Sequence, residues 1–245
     1  MCLNLKVLGY EGIKEMARRV LKSEDGTIMS DHATLIRGRI MNSAKELLAK
    51  EGYSKTTIRK IVEHSGVLTG SIYYFFKNKE DIFRAILLEL VRDCINKINK
   101  NCCDESPLFK YAAVCQVELK VLADYKIVRE TYLEGYNSTI IFEGMVAQFV
   151  ELARGLFDDT EYECSDEGYY QNTLMVKGAM HACLSEMFFR READSARTRE
   201  SLLRLALGVF GAKEAEINGI VEKIRSMNDT WERIGKEMVE HPLVK

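Results

Sequence analysis

Apolar residues recur at intervals of three and four along most of the chain, which is the spacing of amphipathic helices. Glycine, proline and polar clusters mark the breaks between segments. No stretch shows the apolar–polar alternation that strands require. The pattern therefore predicts an all-α protein, with helices over residues 33–50, 57–64, 69–75, 79–101, 107–122, 124–135, 138–157, 167–190, 196–210 and 213–238. The first helix is expected to bury Leu35, Ile36, Ile40, Ala44, Leu47 and Leu48.

Two short helices in the segment 56–76 are joined by a tight turn at Gly66, a residue free to adopt positive φ. Ile58, Ile61 and Val62 give the first helix an apolar face, and the second has its own in Ile72, Phe75 and Phe76. The remaining residues of the second helix are small, hydroxylic or aromatic. Such side chains suit a helix that lies in a DNA major groove, because they let the backbone approach and can donate hydrogen bonds.

The segment 35–82 resembles the DNA-binding domain of the TetR family of bacterial transcriptional regulators. The matching residues are Gly52-Tyr53, Thr56-Thr57-Ile58-Arg59, Ser65-Gly66-Val67, Gly70-Ser71-Ile72-Tyr73-Tyr74-Phe75-Phe76 and Lys77-Asn78-Lys79-Glu80-Asp81-Ile82. The resemblance implies an N-terminal three-helix helix-turn-helix domain joined to a larger helical domain for effector binding and dimerisation. It also implies a homodimer, a palindromic operator in double-stranded DNA and a small-molecule effector.

By resemblance, Thr57 would bond a phosphate, and Thr69, Gly70 and Ser71 would lie in the major groove. Tyr73 and Tyr74 would reach phosphates or thymine methyl groups, although each could instead pack in the small core of the domain. Lys77 and Lys79 would bind the DNA backbone. Leu68 stands where the family usually has a capping residue, and Thr69 could cap the helix one position later, which would shorten it.

Charge is distributed unevenly along the chain. The formal net charge is −2, but residues 33–79 carry nine basic and three acidic side chains, a local +6 that leaves −8 elsewhere. A basic module on an acidic body keeps DNA contact local. The basic residues are Arg37, Arg39, Lys45, Lys50, Lys55, Arg59, Lys60, Lys77 and Lys79.

The expected organisation is an N-terminal extension over residues 1–31, a DNA-binding domain over 32–80 and an effector-binding and dimerisation domain over 81–245. The extension has helical spacing with basic residues opposite. It could be an arm that touches DNA, an extra helix packed on the body, or a poorly ordered tail.

Two sets of body residues are candidates for function, and either set could instead belong to an ordinary core. Aromatic, sulfur-containing and isolated polar side chains are candidates for an effector pocket: Tyr111, Cys115, Glu118, Tyr132, Phe142, Met145, Phe149, Tyr170 and Met175. By resemblance, two helices from each subunit would form the dimer interface, for which the candidates are Leu174, Gly178, Ala182, Leu202, Ala206, Val209 and Phe210.

The sequence favours a cytoplasmic repressor released from its operator by a small molecule, with no catalytic activity, metal or cofactor. The seven cysteines show no zinc spacing, and no apolar run is long enough for a transmembrane helix. Three alternatives remain open: control by a protein partner, control by thiol oxidation at Cys94, Cys102 or Cys103, and an all-helical enzyme. The last lacks a recognisable catalytic motif.

Overall fold

The computed structural model describes residues 31–189, 195–241 and 243. The N-terminal extension, and with it the hypothesis of a DNA-contacting arm, lies outside these residues. Within them the protein is all-α, as expected, and has eleven helices: α1 (Asp31–Glu51), α2 (Ile58–Ser65), α3 (Thr69–Phe75), α4 (Lys79–Asn101), α5 (Pro107–Asp124), α6 (Lys126–Asn137), α7 (Thr139–Phe157), α8 (Asp166–Phe189), α9 (Ser195–Val209), α10 (Glu214–Ser226) and α11 (Asn228–Glu240).

Helices α1 to α3 form a small head around a buried core that includes Ile40, Ile61 and Ile72. The turn between α2 and α3 depends on Gly66, which ends α2 at φ 64° and donates its N–H to the carbonyl of Val62. A residue with a Cβ would be strained in this left-handed conformation.

The body is built around α5, most of whose side chains are buried. Helices α4, α6, α7, α9, α10 and α11 all pack on α5. Close approach is most marked at Gly235 of α11, where an added Cβ would lie 2.9 Å from the side chain of Val121 on α5. The indole of Trp231, also on α11, is fully buried and its ring centroid lies 6.2 Å from that of Phe109.

Several contacts join the head to the body. Helix α1 packs on α4 and α6, and the hydroxyl of Ser54 donates to Glu134 of α6 at 2.5 Å. On the opposite side, Nζ of Lys45 in α1 donates to the carbonyl of Met238 at 2.6 Å and to that of His241. The carboxyl-terminal end of α11 is therefore fastened to the head.

The expected bounds of the third and fourth helices, 69–75 and 79–101, are confirmed. The expectation of one helix over 213–238 is wrong, because the chain breaks at Met227 into α10 and α11. The indole N–H of Trp231 donates to the carbonyl of Ile224 at 2.7 Å and so satisfies an acceptor at the end of α10. The expectation that Leu35 is buried is also wrong. Its side chain is 61% exposed because it lies off the face of α1 that Ile40 and Ala44 turn to the core.

Candidate nucleic-acid interface and effector cavity

Helix α3 begins without a side-chain cap. Leu68 occupies the N-cap position, and its carbonyl accepts hydrogen bonds from the N–H groups of Ser71 and Ile72 at 2.9 and 3.3 Å. The alternative that Thr69 caps the helix one residue later is therefore wrong, since Thr69 is already its first residue. A leucine side chain has no acceptor for the free N–H groups of the first turn.

The outer surface of α3 presents unusually large side chains to solvent. Leu68 is 79% exposed, Tyr74 76% and Tyr73 57%, whereas Ile72 on the opposite face is fully buried. Thr69 and Gly70 are also exposed, and Ser71 is partly buried. The ring of Tyr74 meets that of Phe75 edge to face, with centroids 4.9 Å apart. We call Leu68, Thr69, Gly70, Ser71, Tyr73 and Tyr74 together the recognition surface.

Thr57 caps the neighbouring helix α2. Its hydroxyl oxygen accepts a hydrogen bond from the N–H of Lys60 at 3.2 Å, and its side chain is exposed. Because the hydroxyl acts there as an acceptor, its hydrogen can still be donated to a phosphate. The positive end of the helix dipole favours an anion at the same place.

The two lysines expected to hold the DNA backbone differ in their surroundings. Lys77 is exposed, and its backbone N–H donates to Asp81 at 3.3 Å. Nζ of Lys79 donates to the carbonyl of Tyr53 at 3.1 Å and lies 3.7 Å from the centroid of the Tyr53 ring. Partial burial lowers the pKa of Lys79. Its ammonium is thus engaged with the connection between α1 and α2.

A cavity of about 80 Å³ lies at the junction of head and body. It is bounded by α1, α4, α5, α6, α7 and α11, and its walls are overwhelmingly apolar. The lining residues are Lys45, Leu48, Ala49, Phe83, Ile86, Leu87, Leu90, Val91, Cys94, Val114, Glu118, Val121, Val128, Thr131, Tyr132, Phe149, Met238 and Val239.

A buried ion pair stands behind one wall of this cavity. Nζ of Lys177, on α8, donates to both carboxylate oxygens of Glu118 at 2.9 and 2.8 Å. The lysine side chain has no solvent exposure, and Nζ lies 3.2 Å from the centroid of the Phe149 ring. Sequence reasoning noted Glu118 but missed Lys177. The available signal was a single charge inside the apolar segment 173–184 of α8.

The structure brings together some of the expected effector residues and separates others. Glu118, Tyr132 and Phe149 line the cavity. Tyr111, Cys115 and Met145 are buried but are not among its walls, and Phe142 is partly buried against Tyr136.

Tyr170 and Met175 do not join the cavity. They are 45% and 51% exposed because they lie on the outward face of α8. The regular apolar spacing of a helix does not reveal which of its faces meets the core.

The candidate dimer residues also divide into two groups. Gly178 and Ala182 are exposed on α8, and Leu174 is partly buried. Leu202 and Ala206 of α9, and Phe210 just after it, lie in the core of the chain itself, whereas Val209 is partly buried. The exposed face of α9 instead presents Leu205 and Gly208, which were not among the candidates.

The thiols named for a redox switch differ in accessibility. Cys94 and Cys102 are buried, and burial raises the pKa of both, which disfavours the reactive thiolate. Cys103 is exposed. Among the described residues, no cluster of histidine, cysteine and acidic side chains could hold a metal ion. The described helices include none long and apolar enough to cross a membrane.

The structure thus joins a helix-turn-helix head to a helical body, with a cavity at their junction. A model of the bacterial regulatory proteins of the tetR family matches residues 40–86. Residues 40–86 therefore carry a DNA-binding domain of the tetR family. Its relatives include helix-turn-helix transcriptional regulators and repressors.

Individual relatives match different shares of this chain. The fatty acid metabolism regulator protein of Bacillus subtilis (strain 168) is 26% identical over 141 residues, which span 57% of this chain and 73% of that protein. The regulator QacR of Staphylococcus aureus is 44% identical over 52 residues, 21% of this chain and 28% of QacR. The crystal structure of RolR with resorcinol covers 78% of this chain and 95% of RolR at a TM-score of 0.60. Its 17% sequence identity makes it evidence for the fold alone.

Proposed function

We propose that this protein represses transcription by binding a palindromic operator as a homodimer, and that a small molecule in the junction cavity releases it. One observation carries the proposal. Helix α1, which packs directly on the recognition helix α3, forms a wall of the cavity together with α4, which packs on α1. A molecule that fills or widens the cavity therefore acts on the same helices that orient the DNA-binding surface.

At the operator, the recognition surface enters the major groove. Thr69, Gly70 and Ser71 permit close approach, because two of them are small hydroxylic residues and Gly70 has open space around it. Tyr73 and Tyr74 extend to phosphates and thymine methyl groups. Thr57 donates to a phosphate, and Lys77 neutralises another. Lys79 acts indirectly by holding Tyr53, since its ammonium already has that partner.

The dimer places two heads on successive major grooves, about 34–36 Å apart. We assign the subunit contact to the exposed face that α8 and α9 share. Gly178, Ala182 and Gly208 allow the helices of two subunits to approach closely, while Met175 and Leu205 supply apolar surface. Leu202, Ala206 and Phe210 support this face from within the chain.

Ligand and DNA then compete because each favours a different position of the head. A ligand that stabilises a junction geometry in which the distance between the two heads no longer matches successive major grooves weakens operator binding. The operator then weakens ligand binding by the same factor. In this proposal the protein acts in the cytoplasm, and it acts by binding alone, without a catalytic step.

A mobility-shift titration tests the proposal. DNA from just upstream of the protein's own gene is titrated with the full chain at two salt concentrations in the presence of nonspecific competitor. The proposal predicts binding that resists competitor and weakens with salt according to the number of phosphates contacted. Gel filtration combined with light scattering measures whether the bound species is a dimer. Binding to no promoter region, or binding that competitor abolishes on every promoter tried, would contradict the proposal.

A further inference from the structure

The polar groups on the cavity wall indicate which class of molecule the cavity accepts. Two ionisable side chains with a formal charge line it, Glu118 and Lys45. The charge of Glu118 is neutralised within the protein by Lys177, at 2.8 and 2.9 Å. Lys45 has no such direct partner: its Nζ donates to the carbonyls of Met238 and His241. Asp93 and Glu46 attract its charge, but no carboxylate among the described residues forms a salt bridge with it. The uncompensated charge on the wall is therefore positive.

A second feature of the wall is a polar atom without a partner. Thr131 on α6 lines the cavity and is 6% exposed. Its hydroxyl has no hydrogen-bond partner among the described residues. A buried hydroxyl without a hydrogen-bond partner destabilises the protein, and a hydrogen bond to a suitably placed ligand oxygen would remove that cost. Thr131 is thus a second polar point in an otherwise apolar wall.

We propose that the cavity binds an apolar monocarboxylate, whose carboxylate pairs with Lys45 and whose body lies against the apolar wall, with the hydroxyl of Thr131 bonded to a ligand oxygen. This inference rests on the proposed function, because it names the effector class of the same cavity. The wall offers an apolar molecule many contacts from α4 in particular, through Phe83, Leu87 and Leu90. An amine meets the Lys45 ammonium as a like charge, and an alcohol leaves that charge uncompensated.

Lys45 also connects this ligand class to the head. An ammonium has three N–H donors. Two of them serve the carbonyls of Met238 in α11 and of His241 just after it, so the third is available to a carboxylate. A carboxylate bound there lies close to the negative end of the α11 dipole, an arrangement that is unfavourable. Ligand binding therefore weakens the attachment of α11 to α1. Lys45 belongs to α1, so the change is felt directly in the DNA-binding head.

The test compares molecules of the same length and different charge. Octanoate, 1-octanol and octylamine are titrated into the full chain by isothermal titration calorimetry, with hexanoate, decanoate and phenylbutyrate to sample size and shape. The expected result is that at least one carboxylate binds, and binds about ten- to a hundred-fold more tightly than its alcohol, as for a hydrogen bond to a charged group. Failure of every carboxylate to bind, or equal binding of the alcohol or amine, would overturn the proposal.

Variants locate the carboxylate on Lys45. Lys45→Met keeps the aliphatic stem and removes the charge, and should reduce the preference for the carboxylate over the alcohol to near unity. Lys45→Arg keeps the charge and should retain the preference. Thr131→Val, which removes only the hydroxyl, should weaken carboxylate binding by several-fold and provides a test if Lys45→Met does not fold. An unchanged preference in Lys45→Met, or an unchanged affinity in Thr131→Val, would reject the corresponding contact and with it this assignment.

Operator release is measured separately by fluorescence anisotropy of labelled operator DNA. If octanoate binds through Lys45 but leaves the operator complex intact, the ligand class stands and the proposed release mechanism fails. If 1-octanol or octylamine releases DNA and no carboxylate does, the proposed function stands and the ligand class is wrong. Release by the carboxylate in the wild type, together with its loss in Lys45→Met, supports both.

Discussion

The head and the body each depart from the usual rule that apolar side chains are buried and charged ones are exposed, but they depart from it in opposite ways. The head exposes apolar and aromatic residues on its outer helix, where Leu68 is 79% and Tyr74 76% exposed. The body conceals charge, with Lys177 fully buried and Glu118 only 8% exposed. Exposed single apolar residues are common in proteins, but a cluster on one short helix indicates a binding surface. Buried charges are rare unless they are paired.

The difference shows where each region incurs its energetic cost. The apolar surface of the head costs little while it is hydrated and becomes useful when DNA covers it. The ion pair of the body is desolvated permanently, so its attraction must offset a large solvation penalty in every molecule. The first arrangement can be changed with little effect on folding, whereas the second cannot. Variants of the two regions test this contrast, from the largest expected effect to the smallest.

Removing one partner of the buried pair should strongly destabilise the body. Lys177→Met leaves Glu118 buried without its counter-charge, and such a loss costs about 3–5 kcal/mol. The free energy of unfolding, measured by urea denaturation followed by circular dichroism, should fall by this amount.

A double variant separates the charge from the shape of the site. Glu118→Gln combined with Lys177→Met removes both charges and should recover much of the loss. If the double variant is as unstable as the sum of the two single variants, the pair is not the origin of the effect. If Lys177→Met is as stable as the wild type, the contrast between the two regions fails.

Removing an exposed aromatic from the head should affect DNA and not folding. Tyr74→Ala should weaken operator binding by about 1–3 kcal/mol, because the ring supplies contacts to phosphate or base edges. Its 76% exposure means that little packing is lost. Binding is measured by fluorescence anisotropy and stability by urea denaturation.

Tyr170 provides the matched control, since it is also an exposed tyrosine, at 45%, but belongs to α8 of the body. Tyr170→Ala should leave operator affinity unchanged at protein concentrations where gel filtration shows both variants to be dimers, because Tyr170 lies on the outward face of α8 near the proposed subunit contact. Equal losses in the two variants would mean that the effect of Tyr74 is not specific to the head.

The contrast also explains what the sequence could and could not predict. Most helix bounds followed from apolar spacing, and the head followed from residues whose types and spacing are set locally by the turn at Gly66. The break at Met227 was missed because no glycine or proline marks it. It depends instead on the packed position of Trp231, whose indole bonds Ile224.

The body's functional features were harder to predict because they depend on which helix faces meet. Glu118 was named as an isolated polar residue, but its partner Lys177 is 59 residues away in sequence. Tyr170 and Met175 share the apolar character of the cavity residues, yet helix orientation places them outside. No local pattern indicates that α1 and α11 complete the cavity wall through Lys45 and Met238.

Leu68 allows a smaller effect to be tested within the head. Leu68→Ser supplies the missing cap of α3, which should raise the free energy of unfolding by about 1 kcal/mol. Leu68→Ala removes the same apolar surface without providing a cap, so the serine variant should be the more stable of the two. Both variants should bind the operator more weakly than the wild type if Leu68 contacts a thymine methyl group. Equal stability of the serine and alanine variants would show that the cap position is not limiting.

The smallest expected effect concerns Lys45, at the boundary between the two regions. Burial lowers its pKa from 10.5 to about 8, against the attraction of Asp93 and Glu46 and together with the repulsion of Lys97. Between these two values the unfolded chain keeps a proton that the folded protein has lost. The stability that Lys45 contributes should therefore rise as the pH rises through this window.

The measurement is the difference in unfolding temperature between the wild type and each of two variants, recorded from about pH 7 to about pH 10. Taking a difference removes the titration of tyrosines and cysteines that all three proteins share. As the pH rises, the unfolding temperature of the wild type should increase relative to that of Lys45→Met, which has no proton to lose. It should also increase relative to that of Lys45→Arg, which stays charged throughout. A difference that does not vary with pH would mean that Lys45 is as well solvated as a surface lysine. In that case the charge of Lys45 at the junction would be hydrated, like the surface of the head, and not desolvated, like the ion pair of the body.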